Sequence, residues 1–260
     1  MKTKKTKPVI LISNDDGIES KGIRALTKEI RKFAEVIVVA PNTQQSAVGH
    51  AVTMSNPIRA TKNLIDRNFY GYAVEGTPAD SVKLAVMILF KEKKIDLLIS
   101  GINQGANTAI NVIYSGTVSA ATEGTILGIP SIAVSLTSYT YDDFSVAAKF
   151  TSKISKIILK KGLPKGTLLN INVPAVEKKK IKGVVATKQG KSYWADDYVL
   201  RLDPSKRKYY WLTGGMKKLD KTIVFDQKAI GENYISVTPI HYDLTDYRTY
   251  EEIKKWDLKI

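Results

Sequence analysis

Val9-Ile10-Leu11-Ile12-Ser13-Asn14-Asp15-Asp16-Gly17 is the stretch that decides how this chain is read. Four apolar residues in a row form a strand buried on both faces, as inside a parallel sheet with helices on either side. The polar run behind them ends in Gly17, which permits a sharp turn out of the strand. Within a strand Asp15 and Asp16 would point to opposite faces, so they can face one point only after the chain has left it. Two close carboxylates repel each other, and an anionic phosphate would add to the repulsion unless a cation compensated. Alone, Asp-Asp-Gly after a strand is more often a turn and a helix cap.

The pattern continues outward from that strand. Residues 20–32 carry helical spacing through Ile23, Leu26 and Ile30, and residues 35–40 (EVIVVA) form a second buried strand. A helix is expected over 78–90 with Pro near its start, a strand over 96–100, a helix over 117–127 and a strand over 131–135. Strands alternating with helices predict an α/β fold, a mostly parallel sheet flanked by helices with a Rossmann-like core. A helix over 142–160 and a strand over 167–173 follow. Beyond them, aromatic and β-branched residues alternate with polar ones from Tyr193 to Trp211, which predicts antiparallel hairpins projecting as an arm. Residues 225–230 and 234–237 return the chain to the body. The expectation is one domain over 1–260, with a core at about 8–180 and 221–245, an arm at about 181–220 and a tail at about 246–260 that forms an exposed or partner-bound helix.

In an open parallel sheet, ligands bind beyond the carboxyl ends of strands, near the point where strand order reverses. Three polar loops follow strands here: Asn14 to Gly17, Gln44 to His50 and Gly101 to Asn107. Asn103 offers an amide oxygen and Ser46 a hydroxyl, so with Asp15 and Asp16 the set is all oxygen, suited to one Mg²⁺ or Mn²⁺ rather than zinc. Ser46 taken singly is a loop hydroxyl, or a nucleophile if His50 served as its base; ligand ranks above nucleophile. His50 is read first as a structural loop residue, placed where it could also carry a proton. Ser115, Gly116 and Thr117 open a helix, and backbone N–H groups there suit phosphate as well as they suit an ordinary cap. Thr77 to Asp80 is read as a cap. Tyr70, Tyr72, Tyr193 and Trp194 could stack a base, although packing is the commoner task of such residues.

Composition narrows the function classes. With no Cys in 260 residues, thiol nucleophiles, Cys-based zinc sites and disulfide frameworks are excluded. The net charge of +15 invites a nucleic-acid reading, but only seven of the 40 basic residues are Arg, the side chain best suited to bidentate phosphate and base recognition. A solvated Lys-rich surface with at most weak, nonspecific nucleic-acid binding is the expectation. The apolar run at Val9 to Ile12 is shorter than the roughly 7–15 residues of an export segment. Every hydrophobic run falls short of the roughly 20 residues of a membrane span. A cytoplasmic protein without membrane partners is therefore expected.

The order of these motifs resembles the SurE family, the survival-protein nucleotidases. The resemblance rests on SNDDGI at 13–18, APNTQQSAVGHAVT at 40–53, EGTPADSV at 75–82, SGINQGAN at 100–107, YSGTVSAATEG at 114–124 and YISVTPIHYDLT at 234–245. It implies metal-dependent hydrolysis of nucleoside 5'- and 3'-monophosphates, with short polyphosphate a further candidate substrate. It also implies homodimers or homotetramers built partly by exchanging C-terminal tails. The family's metal ligands fall on Asp15, Asp16, Ser46 and Asn103. A metal-activated water would attack phosphorus in line, Asp15 or Asp16 would take its proton, and Asn14, Asn107, Ser115, Gly116 and Thr117, with Ser46, would line the phosphate. Residues 181–220 are the least family-like, and Phe225-Asp226 stands where threonine-aspartate is expected. The alternative is a non-enzymatic nucleotide or nucleic-acid binder using the basic surface. A phosphoaspartate mechanism would need Asp-x-Asp after the first strand, and a dinucleotide fold would need Gly-x-Gly-x-x-Gly in the first turn.

Overall fold

A computed structural model describes residues 7–65 and 68–258. Val9–Ser13 (β1) lies in the middle of a nine-stranded sheet. After it come helix α1 (Lys21–Ile30) and strand β2 (Glu35–Pro41), which pairs with β1 in parallel. The chain then forms a hairpin of Ala60–Ile65 (β3) and Asn68–Val74 (β4), with β4 parallel to β2 and β3 at the edge. Neither strand is evident from hydrophobic pattern: β3 is an edge strand with little to bury, and the short apolar run of β4 is broken by Gly71. The chain crosses back through α2 (Pro78–Leu84) to β5 (Leu97–Gln104), which joins the other side of β1. Strand order therefore reverses between β1 and β5.

The second half adds α3 (Asn111–Tyr114), α4 (Gly116–Ile126), β6 (Ser131–Leu136), α5 (Ser145–Lys161) and β7 (Thr167–Val173). Strands β5, β6 and β7 are parallel neighbours. Gly183–Ala186 (β8) lies at the far edge of the main sheet, inside the stretch expected to project, and pairs in parallel with β11 (Tyr234–His241), which runs antiparallel to β7. Between these two strands Tyr193–Leu202 (β9) and Lys208–Lys217 (β10) pair only with each other as a separate antiparallel hairpin. Helix α6 (Asp226–Gly231) precedes β11, and α7 (Tyr247–Ile253) lies in the tail. No helix among the described residues is long and apolar enough to cross a membrane.

The sheet is covered on both faces. Ile10 and Ile12 pack with Ile23, Leu26 and Ile30 of α1 and with Ala147, Ala148 and Ile158 of α5. Leu11, one residue out of phase, packs on the other face with Val82 of α2 and Val118, Ala120 and Ala121 of α4. That alternation explains why β1 reads as a continuous apolar run. The helix expected over 78–90 is α-helical only to Leu84. Ala85–Leu89 continues as π-helix, with the Phe90 N–H reaching the Ala85 carbonyl five residues back.

Helix α1 sits close on β5 because Gly22 has no side chain: a Cβ there would lie 2.0 Å from the Ile102 carbonyl oxygen. Gly22→Ala is expected to lower stability by about 2 kcal/mol or more, read as a lower urea midpoint at unchanged slope.

Candidate active site

The carboxyl ends of β1 and β5 meet where strand order reverses, and the polar loops converge there. Gly17 turns the chain with φ +92, in the left-handed region that suits glycine. Asn14 is fully buried, and its amide nitrogen donates to the Gly17 carbonyl at 2.8 Å and the Ser20 hydroxyl at 2.9 Å. Both its protons thus secure the turn instead of facing a ligand.

Asp15 is 7 % exposed, and its Oδ1 accepts a 2.6 Å hydrogen bond from the Thr117 hydroxyl. Thr117 stands in the first turn of α4, so the positive end of that helix also faces the carboxylate. Gly116 makes the approach possible, since a Cβ there would lie 2.8 Å from the Asp15 Cβ and 3.1 Å from Pro78. Ser115 is the N-cap, its hydroxyl accepting from the Val118 N–H. Asp16 Oδ2 accepts from the Gln104 N–H at 3.1 Å, joining the first loop to the end of β5. Burial pushes the Asp15 carboxyl up to about 6, opposed by Thr117 and reinforced by Asp16, and burial raises Asp16 as well, opposed by the Gln104 N–H.

A register shift between Ser100 and Asn103 re-aims the end of β5. Asn103 is half-buried there, and its amide nitrogen donates to the Gly105 carbonyl at 2.8 Å, which fixes the orientation of the amide and leaves its oxygen as an acceptor. Ser46 lies on the exposed loop after β2 and makes no hydrogen bond among the described residues. Its neighbour Gln45 donates its N–H to the Asp15 carbonyl at 2.8 Å, which ties that loop to the pair.

Asn107 is buried beside Thr117, and its amide donates to the Ser135 hydroxyl at 3.0 Å and to Thr117 at 3.4 Å. Its backbone is held from β7: Asn172 accepts the Asn107 N–H, and Asn170 and Asn172 both donate to its carbonyl. Ser135, Asn170, Asn172 and Gln104 were not legible as site residues, although two asparagines on one face of an otherwise apolar strand are a recoverable signal. Asp226 is a further one. Wholly buried, it accepts from the N–H groups of Ala109, Gly190 and Gln227, so it fixes the loop next to Asn107. Burial raises its pKa, opposed by those bonds. Phe225, the N-cap of α6, supplies no side-chain hydrogen bond, where a threonine could.

The residues fit a hard cation. No cluster of three or more His, Asp or Glu forms among the described residues, so the charge comes from two carboxylates, with neutral oxygens to complete a shell. A buried carboxylate beside a half-buried one is unfavourable by itself, and Ser13 Oγ, Asn14 Oδ1 and Ser100 Oγ are buried nearby without hydrogen-bond partners. Of the four expected ligands, Asp15, Asp16 and Asn103 come together on strand ends, whereas Ser46 is carried by a loop. Tyr70 is buried against Thr27 and Arg31, and Tyr72 packs edge-on against Phe90, so both are packing residues. Tyr193 and Trp194 stand on the exposed hairpin.

Residues 10–196 match the family model described as "Survival protein SurE". The chain belongs to the SurE family. It is 43 % identical over 259 residues to a protein of Chlorobaculum tepidum named 5'-nucleotidase SurE, covering 100 % of this chain and 98 % of that one. A protein of the same name from Syntrophobacter fumaroxidans is 46 % identical over 249 residues, covering 96 % and 99 %. The crystal structure of the SurE protein from Aquifex aeolicus matches with a TM-score of 0.83 at 41 % identity, covering 95 % of this chain and 98 % of that one.

Because burial raises the Asp15 pKa from 3.8 to about 6, the native chain binds more protons than the unfolded one in that window. The contribution of this SurE carboxylate to stability therefore falls as pH rises through it. In chelator, Asp15→Asn is expected to raise the melting temperature at pH 7 and flatten the decline between about pH 4 and about pH 6. Adding Mn²⁺ should stabilise the parent chain and leave the variant unmoved. Gly116→Ala, which drives a Cβ onto Asp15, should abolish the Mn²⁺-induced shift.

Proposed function

We propose that this SurE chain hydrolyses nucleoside monophosphates to nucleoside and inorganic phosphate, acting on 5'- and also 3'-monophosphates. The carrying observation is the Asp15–Asp16 pair at the switch point of the sheet, with the first turn of α4 against it. Relatives named 5'-nucleotidase SurE, similar along almost their whole length, support the substrate class. One Mg²⁺ or Mn²⁺ per chain, held by Asp15, Asp16, Ser46 and Asn103, would supply charge neutralisation at the phosphate and a more acidic water.

The chain's own groups do the rest. Thr117 holds Asp15 Oδ1, which orients the second oxygen, and the Gln104 N–H holds Asp16 Oδ2 in the same way. The carboxylate oxygens left free can take a proton from an attacking water. The first turn of α4, through Ser115 and Gly116, with Asn107 behind it, lines the side on which a phosphate would sit. The negative pair and its buried supports have no use in a binder that relies on basic surface charge. Cytoplasmic location and a homodimer or homotetramer with exchanged tails belong to the same proposal. Large apolar residues exposed on the hairpin and tail, among them Trp211, Leu212, Tyr247 and Trp256, support association.

Phosphate release from a panel of nucleoside 5'- and 3'-monophosphates tests the proposal. Release with Mg²⁺ or Mn²⁺ should stop in excess chelator, and Asp15→Asn should lower kcat by at least about a hundredfold. Release that persists in chelator, or near-parental activity in Asp15→Asn, would overturn it.

A further inference from the structure

The loop over residues 42–59, between β2 and β3, has few apolar anchors. Ala47 and Gly49 both take left-handed backbone angles, φ 55 and 58, and for alanine that conformation is unfavourable. Polar bonds hold it instead. The Gly49 N–H reaches the Tyr114 carbonyl at 3.1 Å, and the Thr77 hydroxyl reaches the Ala51 carbonyl at 2.8 Å. The Thr53 N–H and hydroxyl donate to Asp80 at 3.0 and 2.6 Å.

Between these anchors, His50 Nε2 lies 3.0 Å from Glu123 Oε2, and the other oxygen of Glu123 accepts from Lys83 Nζ of α2 at 2.6 Å. Glu123 is 3 % exposed. A carboxylate so deep is costly unless paired. Burial pushes its pKa up, and the bonds from His50 and Lys83 outweigh that and leave it below the usual range. Glu123 lies two turns into α4, about 10 Å along the helix from Gly116. The imidazole of His50 is thus engaged with α4 through Glu123, which makes it an anchor of the loop.

We propose that Glu123, held between Lys83 and His50, is the latch that fastens this loop to α4 and so presents Ser46 to the Asp15–Asp16 pair. Glu123 and His50 are then positioning residues for the cation site, an inference that rests on reading Ser46 as a ligand.

The test compares the full chain with Glu123→Gln, His50→Gln and Ser46→Ala. It follows amide hydrogen exchange over residues 43–50, Mn²⁺ affinity by calorimetry, and phosphate release against Mn²⁺ concentration. Glu123→Gln and His50→Gln should speed exchange in that segment while β1 and β5 stay protected. They should weaken Mn²⁺ binding about tenfold, with release recovering at excess Mn²⁺. His50→Gln leaves the Glu123–Lys83 pair in place and keeps the question answerable if the Glu123 variant fails to fold. Parental exchange and parental Mn²⁺ affinity in His50→Gln would overturn the latch. Parental Mn²⁺ affinity in Ser46→Ala would overturn the ligand reading instead, and the exchange rates would still report on the latch.

Discussion

Two carboxylates on adjacent residues, at the end of a strand buried on both faces, set the terms for the surrounding structure. Asp15 and Asp16 leave β1 where little water can solvate them, and burial raises both. Every element that meets them brings a compensating group. Helix α4 brings its N-terminus and the Thr117 hydroxyl, and β5 brings the Gln104 N–H. Gly116 supplies the space that lets the helix approach. None of these groups neutralises a charge, so the arrangement stays electrostatically incomplete without a cation.

Around the pair, stiffness comes from neutral amides. Asn107 is bonded through its side chain to Ser135 and Thr117 and through its backbone to Asn170 and Asn172, so β6, α4 and β7 all meet at one residue. Two flanking loops carry alanines at positive φ, Ala47 and Ala109. Each is over-determined by buried acids: Asp226 takes the Ala109 N–H, while Asp80 and Glu123 hold the loop that contains Ala47. Strained backbone persists where the surroundings fix it from several sides.

The periphery follows other rules. The β9–β10 hairpin pairs with no strand of the main sheet, and its side chains are exposed along nearly its whole length, apolar ones included. Its base is closed by Ser192 and Asp220, which bond to each other at 2.6 Å. It is anchored as an appendage and not packed as core.

What the sequence determined by itself is local and periodic. The apolar runs of β1, β2 and β6 and the helical spacing of α1 follow from what must be buried, so the parallel α/β core is legible without coordinates. The Asp-Asp-Gly turn is legible too, because its residue types have few other uses after a buried strand. The edge strands β3 and β8 are not, because their pairing satisfies backbone groups without demanding an apolar pattern, and in β4, which buries Tyr70, Ala73 and Val74, Gly71 breaks the short apolar run. Tertiary structure alone decided the roles. Thr117 meets Asp15 across 102 residues, and Glu123 meets His50 across 73. Asn14 turned inward to its own turn. A hydroxyl or a carboxylate has the same chemistry in every sequence, and which partner it takes is fixed only when the sheet brings distant loops to one edge.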